Sequence, residues 1–186
     1  MNLMTKINAL SPLSADVSLW LSQHIVCFNF KKNEAIIQEG NRCNYLYFVT
    51  KGLLCGYYLT GTKEVCNWIA KEDDFATSYY SFISRNPSYE YITCLENSSV
   101  EAISHQTLNT LYTLFPESER TGRLLLQEYY YRLEERLISM QFKSAKERHD
   151  QLFKSRPDIF NRAPLGKVAS YLGMSQETLS RIRAEM

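Results

Sequence analysis

The spacing of apolar residues changes twice along this chain, and this change constrains its fold more than any other feature. Before about Phe28 and after Ser104, apolar side chains recur every three or four residues, as in amphipathic helices. Between these positions they recur every second residue, in runs rich in aromatic and β-branched side chains. The sequence therefore predicts an α+β protein, with a β-domain between helical segments.

The β-region is divided by turn signals at regular intervals. Strand-like runs cover residues 45–49, 53–59 and 64–69, and Lys51-Gly52 and Thr60-Gly61-Thr62 separate them. Turn signals at intervals of about 8–12 residues are typical of antiparallel sandwiches and barrels. The 13 Tyr and 9 Phe also suit strands and buried interfaces better than a plain helical bundle.

Helices are predicted on both sides of this region. The first element is a short helix capped by Ser14, whose apolar-leaning face is Val17, Trp20, Leu21 and His24. After the strands, a second short helix covers about residues 106–114 and ends near Pro116.

A long helix follows over residues 117–143, with Glu117 and Glu119 at its positive end. At 1.5 Å per residue it is roughly 40 Å long. Its heptad-spaced residues are Leu126, Tyr130, Leu133, Leu137, Met140 and Ser144. A second apolar stripe consists of Leu124, Ile138, Phe142 and Ala145. Such a helix lies either in a dimer interface or inside one large core, and its length favours the dimer.

A boundary follows the long helix. Ser144 and Glu147 have the spacing of a capping box, which marks a new helix that stops before Arg156-Pro157. The predicted divisions are a β-roll sensor domain over 1–116, a connecting and dimerisation helix over 117–143, and a C-terminal domain over 144–186.

The C-terminal segment has the pattern of two short helices joined by a tight turn. Pro164 opens the first helix, Gly173 supplies the left-handed conformation that ends it, and Ser175 caps the second. The inward residues are Leu165, Val168, Ala169, Leu172, Leu179 and Ile182. The sequence therefore predicts a helix-turn-helix.

The second of these helices presents polar side chains outward. They are Ser175, Gln176, Glu177, Ser180, Arg181 and Arg183. Arg can bind guanine in two places and Glu can accept from cytosine, which favours double-stranded DNA as the partner. The alternative is a simple surface pair between Glu177 and Arg181.

The net charge of +1 hides an asymmetry along the chain. From Lys143 to Met186, nine Lys and Arg stand against five acids, so the rest of the chain is mildly acidic. A basic appendage is expected of a small DNA-binding domain, although it also occurs in proteins without that function.

Several other classes of protein are disfavoured. The five cysteines are spread out without a CxxC motif, which predicts buried free thiols in a reducing cytoplasm. No N-terminal signal pattern or run of 18 apolar residues occurs, so we expect neither secretion nor membrane insertion. His24, His105 and His149 are isolated, and no catalytic fingerprint is found, so we expect no cupin-type metal site and no enzyme.

These features together resemble the Crp/Fnr regulators, which join a cyclic-nucleotide-binding-type β-roll (a jelly roll) to a winged helix-turn-helix. The resemblance covers nearly the whole chain. It rests on Glu39-Gly40, residues 45–49 with Gly52, Asp73-Asp74-Phe75, the long helix, and Glu177-Thr-Leu-Ser180-Arg181.

The resemblance implies that Glu177, Ser180 and Arg181 contact bases and that the long helix forms a parallel homodimer seam. Two recognition helices then lie about 34 Å apart and read a palindromic site. RNA polymerase is a further partner that this family allows. The chain stops at Met186, shortly after the second helix, so we expect any wing to be truncated.

Two departures concern the effector. Ala76-Thr77 replaces the Gly-Glu pair of nucleotide-binding members, Ser88-Tyr89 stands where their Arg is expected, and Arg85 is out of step. Loss of the Arg–phosphate contact argues against cyclic nucleotide. No cofactor is evident, and the effector is not identified. Candidate pocket residues are Trp68, Phe75, Thr77, Ser78 and Tyr79, of which residues 77–79 are equally compatible with a helix or core role. The alternative function is an effector-binding or protein-interaction module with a degenerate helix-turn-helix.

Overall fold

Two four-stranded antiparallel sheets form the centre of the molecule in the computed structural model, which describes residues 1–185. The strands are β1 (Val26–Phe30), β2 (Ala35–Ile37), β3 (Tyr45–Lys51), β4 (Leu54–Thr60), β5 (Lys63–Ala70), β6 (Phe75–Ala76), β7 (Tyr91–Cys94) and β8 (Ser98–Ser104). Their orders are β1-β8-β3-β6 and β2-β7-β4-β5. The predicted antiparallel class is confirmed, and the three predicted runs correspond to β3, β4 and β5.

The two sheets enclose an apolar core that follows the period of two. Tyr47 and Val49 lie two residues apart in β3 and therefore on the same face of the sheet. Both pack with Leu54, Ile92 and Val100. Because successive side chains of a strand point to opposite faces, this alternation positions one face of each sheet toward the other.

Nine helices surround the sheets within the described residues. They are α1 (Leu3–Leu10), α2 (Ala15–Ser22), α3 (Tyr79–Ser84), α4 (His105–Leu114), α5 (Glu119–Phe142), α6 (Ala145–Ser155), α7 (Ile159–Arg162), α8 (Leu165–Tyr171) and α9 (Gln176–Ala184). Within residues 1–185, no helix has both the length and the apolar character that a membrane span requires.

The expectation that the Ser14-capped helix comes first was wrong, because α1 precedes it. Asn2 caps α1 by accepting from the backbone N–H of Thr5, and only Leu3 and Ile7 are buried. Two buried positions are too few to reveal a helical period in the sequence. His24 was also misplaced, since it lies beyond the end of α2 and stacks on Trp20.

The long helix α5 begins two residues later than expected. Pro116–Ser118 form a 3-10 turn, so Glu117 lies in that turn and Glu119 starts the helix. The helix ends at Phe142, and Lys143 after it has an extended backbone. The Ser144–Glu147 capping box opens α6 as predicted. The division of the chain into three domains stays a proposal.

The C-terminal helices pack directly on the β-roll. One apolar cluster contains Leu53, Cys55, Tyr57, Cys66, Ile69 and Leu95 of the roll together with Leu152, Ile159, Phe160, Ala163, Val168, Ala169, Leu172 and Leu179 of the helices. Apolar residues of the roll and of the C-terminal helices therefore bury one another in this cluster. The contact between them sets the orientation of α8 and α9 on the roll.

Candidate nucleic-acid interface

Helices α8 and α9, here called the C-terminal helix pair, are joined by a turn at Gly173. Gly173 has a φ of +64°, and the N–H of Met174 donates to the carbonyl of Ala169 at 3.0 Å. The left-handed Gly173 and this hydrogen bond are features of a Schellman motif, which satisfies carbonyls at the end of α8. The Ser175 hydroxyl then accepts from the N–H of Thr178 at 3.1 Å and caps α9. The predicted local structure is thus present.

The polar face of α9 is open to solvent, whereas its apolar face is buried. Leu179 and Ile182 face the interior. All six residues predicted to contact DNA are exposed, namely Ser175, Gln176, Glu177, Ser180, Arg181 and Arg183. A surface with this exposure is available to a partner.

The charges on this face are not paired with one another. Within residues 1–185, neither Arg181 nor Arg183 forms an ion pair, so the alternative surface pair between Glu177 and Arg181 is not formed. Instead, the Ser175 hydroxyl and the backbone N–H of Glu177 itself lower the pKa of the Glu177 carboxyl. Among residues 1–185, neither guanidinium group is therefore held by an acid, and both can bind another molecule.

Helix α8 is seated on strand β5, on the side of the pair away from the polar face. The N–H of Cys66 donates to the Ser170 hydroxyl at 2.9 Å. The Lys167 ammonium binds Glu64 at 2.8 Å and lies 3.8 Å from the centre of the Tyr57 ring. The roll therefore supports the pair without covering its polar face.

Ion pairs reinforce this contact between the roll and the C-terminal helices. Arg162 of α7 binds Glu72 at 2.8 Å and also binds Glu96. The hydrogen bond from Arg162, together with one from the backbone N–H of Gly52, lowers the pKa of Glu72 to about 2. Lys71 binds Asp158 at 2.8 Å. These contacts join residues that lie far apart in sequence, and the prediction from sequence missed them.

Part of the positive charge of the C-terminal quarter is used within the chain. Of its nine cations, Arg156, Arg162 and Lys167 bind acids of the roll. A third of these cations therefore serve contacts within the chain: Arg156 and Arg162 bind the acidic turn at residues 72–74, and Lys167 binds Glu64 of β5. In the sequence, this contact was signalled only by the opposite net charges of the C-terminal quarter and of the rest of the chain.

Arginines from α5 and α6 hold the end of α8. Arg136 donates to the carbonyl of Tyr171 at 2.7 Å and lies 4.3 Å from the centre of its ring. Arg148 donates to the carbonyl of Leu172 at 2.7 Å. Cations are favourable at a helix C-terminus, where carbonyls lack partners. The long helix is thus linked directly to the C-terminal helix pair.

The predicted dimer seam of α5 is uncovered in the single chain. Its exposed fractions are 48% for Leu126, 64% for Tyr130, 46% for Leu133, 57% for Leu137 and 38% for Met140. Met140 also has a second role, because its methyl group lies where a side chain on Gly173 would be. The remaining four residues form an apolar face that stays partly exposed within residues 1–185.

Four of the five candidate effector residues line one cavity. Trp68, Phe75, Thr77 and Tyr79 surround a space of about 150 Å³ between the roll and α5. Helix α5 closes it with Tyr129, Arg132, Leu133 and Arg136. Ser78 is not brought to the cavity, since it is buried with its hydroxyl oxygen 2.9 Å from that of Ser88. Thr77 and Ser78 precede α3 rather than belong to it.

The charged side chains that line this cavity are Asp74, Arg132, Arg136 and Arg156, whereas Glu90 and Arg85 of the roll do not line it. Glu90 is 5% exposed, and its carboxylate accepts from the Trp68 indole N–H at 3.0 Å. Burial raises the pKa of Glu90 to about 7. Arg85 has a φ of +63°, and its guanidinium is bound to the carbonyls of Cys43 and Phe82. It therefore points away from the cavity and offers no phosphate contact there.

Comparison with known proteins identifies the class of the roll. Residues 27–113 match the family model of the cyclic nucleotide-binding domain. With the two antiparallel sheets and their flanking helices, this match defines the roll as a jelly roll of the cyclic nucleotide-binding type.

Solved structures extend this likeness over most of the chain. FixK2 from Bradyrhizobium japonicum has a TM-score of 0.71 at 18% identity, over 87% of this chain and 83% of that chain. A putative Crp/Fnr-family transcriptional regulator from Eubacterium rectale has a TM-score of 0.73 at 16% identity, over 97% and 87%. The catabolite activator protein of Thermus thermophilus has a TM-score of 0.59 at 16% identity, over 97% and 85%. A search of curated protein sequences gives no match.

Proposed function

We propose that this chain is a sequence-specific DNA-binding transcription regulator of the Crp/Fnr type. The observation that carries the proposal is the exposed face of α9, where Arg181 and Arg183 have no ionic partner within the described residues. The fold shared with solved regulators supports it. The chain then acts in the cytoplasm, as an intracellular DNA-binding protein, and catalyses no reaction.

The chemistry of this face suits base recognition in the major groove. Arg181 can donate to O6 and N7 of guanine, and Glu177 can accept from N4 of cytosine. Ser180 adds a short polar contact between them. Gln176, Arg183 and the Ser175 cap contribute to positioning on the duplex, where much of the binding energy comes from phosphate contacts.

The proposal includes a homodimer through α5. Its exposed heptad residues form a continuous apolar stripe on a helix of 24 residues. A parallel pair of such helices buries this stripe and leaves two copies of α9 on one side. The dimer then reads a palindromic site with half-sites about one helical turn apart.

The cavity beside Trp68 is proposed as the effector site. Its wall is shared by the roll and α5, so an occupant contacts both the sensing part and the dimerisation helix. Because the Arg85 guanidinium is bound to the carbonyls of Cys43 and Phe82, we favour a ligand other than a cyclic nucleotide held by an Arg of the roll. RNA polymerase is the further macromolecular partner that this type of regulator implies.

Selection of bound duplexes from random oligonucleotides tests the function. The purified chain is expected to enrich a two-fold symmetric sequence and to bind it more weakly as salt increases. The control is the same oligonucleotide pool taken through the selection without protein. If no sequence is enriched above this control, the result would contradict DNA reading and favour an interaction module.

A further inference from the structure

Two cysteines of the roll are brought together by an irregularity in strand pairing. Strands β4 and β5 pair Cys55 with Ile69 and Tyr57 with Cys66, so Asn67 is an extra residue without a partner. A bulge of this kind shifts the alternation of side chains by one position. Cys66 and Ile69 consequently share a face with Cys55, and the two sulfur atoms lie 3.2 Å apart.

This pair lies directly beneath the C-terminal helix pair. Cys55 and Cys66 are 0% and 1% exposed and belong to the cluster that the roll shares with Val168 and Ala169 of α8. The backbone N–H of Cys66 donates to Ser170 of the same helix at 2.9 Å. Within residues 1–185, these are the two cysteines whose thiols form a hydrogen bond with each other.

We propose that Cys55 and Cys66 form a redox-active dithiol site that a hydroperoxide oxidises to an intramolecular disulfide. The Cys55 thiolate attacks one peroxide oxygen, the O–O bond breaks, and an alcohol leaves with a proton, so Cys55 becomes a sulfenic acid. The Cys66 sulfur then attacks the Cys55 sulfur and releases water. Overall, two thiols lose two electrons and two protons, and the hydroperoxide is reduced to an alcohol and water.

The surroundings give the two sulfurs different roles. The hydrogen bond between the two sulfurs and the nearby Lys167 ammonium lower the pKa of Cys55. The same hydrogen bond and burial raise the pKa of Cys66. Because the thiolate is the nucleophile, Cys55 is the attacking residue and Cys66 the resolving residue.

The position of the pair couples its oxidation to the seating of α8. Helix α8 and its neighbours cover both thiols, so a peroxide reaches them when this contact opens. The disulfide then shortens the sulfur separation from 3.2 Å to about 2.05 Å, beneath a helix held by Ser170. Oxidation therefore changes the packing on which the orientation of α9 depends.

The test is disulfide mapping on the folded full chain. The protein is treated with hydrogen peroxide, free thiols are alkylated, and peptides are analysed by mass spectrometry without reduction. We expect a linked Cys55–Cys66 peptide that dithiothreitol separates again. Cys66→Ser is expected to trap a dimedone-reactive sulfenic acid at Cys55, and Cys27→Ser, which alters an exposed cysteine, is expected to leave the linkage unchanged.

The rate of linkage tests the coupling to α8. Glu72→Gln weakens the contact with Arg162 and leaves both cysteines in place, so it is expected to accelerate disulfide formation several-fold. Thiols at 55 and 66 that stay reduced in folded wild-type protein, while Cys27 is oxidised, would overturn the site. A rate unchanged by Glu72→Gln would overturn the coupling. Both readouts are made without DNA, so they remain valid if the proposed function fails.

Discussion

Arg162 binds Glu72 through two parallel hydrogen bonds, Nη1 to Oε2 and Nη2 to Oε1, each 2.8 Å long. Glu72 lies in the turn after β5 and Arg162 lies at the end of α7, so this pair ties the C-terminal helices to the roll. A bidentate pair fixes orientation as well as distance. The direction in which α9 presents its polar face is therefore set in part by a residue of the roll.

Removing the charge of Glu72 is expected to weaken this attachment. Because the pKa of Glu72 is lowered to about 2, its contribution to stability is present above pH 4.5 and disappears as the pH falls toward 2. Allowing for partial exposure, Glu72→Gln is expected to cost about 1–2 kcal/mol at pH 7. Urea unfolding measures this cost, with Glu39→Gln as an exposed control. Equal losses in the two variants would contradict the role of the pair.

Glu90 is expected to give the opposite dependence on pH. Its pKa is raised to about 7 by burial, so the folded state favours the protonated acid. The stability it contributes is fully present below pH 4.5 and is lost as the pH rises to 7, by about 3 kcal/mol at most.

Glu90→Gln keeps an acceptor for the Trp68 indole and removes the ionisation. The variant is expected to unfold at higher urea concentration than wild type at pH 8 and at a similar concentration at pH 4.5. A constant difference between the two proteins at both pH values would show that Glu90 does not titrate in this range.

The apolar stripe of α5 predicts the oligomeric state. Leu137→Glu introduces a charge at a residue that is 57% exposed in the single chain and buried in the proposed dimer. Wild type is expected to sediment as a dimer and the variant as a monomer. Leu19→Glu changes a leucine of α2 that is 63% exposed, and it is expected to leave the dimer intact. A Leu137→Glu protein that remains dimeric would place the interface elsewhere.

Local features of the structure were predictable because they depend on neighbouring residues. Ser14, Ser144 and Ser175 each cap a helix, and Gly173 adopts the left-handed conformation assigned to it. The strands followed from alternation, which burial of one face imposes. The exposed face of α9 followed from the inward positions of Leu179 and its neighbours on the same helix.

Features that depend on distant partners were not predictable in this way. Arg162 and Glu72 are 90 positions apart, and no local period signals their meeting. The bulge at Asn67 reverses the facing of Cys66, and Gly56 on the opposite strand marks it only weakly, because a single glycine does not say which strand gains the extra residue. Ser78 was expected in the pocket, but its direction is set by Ser88 across a loop. Pairings between elements decide all three.

Base reading by α9 is tested most directly by affinity measurements on wild type and Arg181→Ala. Each protein is titrated with the selected duplex and with duplexes in which one base pair of the half-site is changed. We expect Arg181→Ala to lose about 1–3 kcal/mol of binding free energy on the selected site and to lose discrimination at one position only. Lys154→Ala, which alters an exposed cation of α6, is expected to retain the full profile. An Arg181→Ala protein with the wild-type profile at every position would contradict the account.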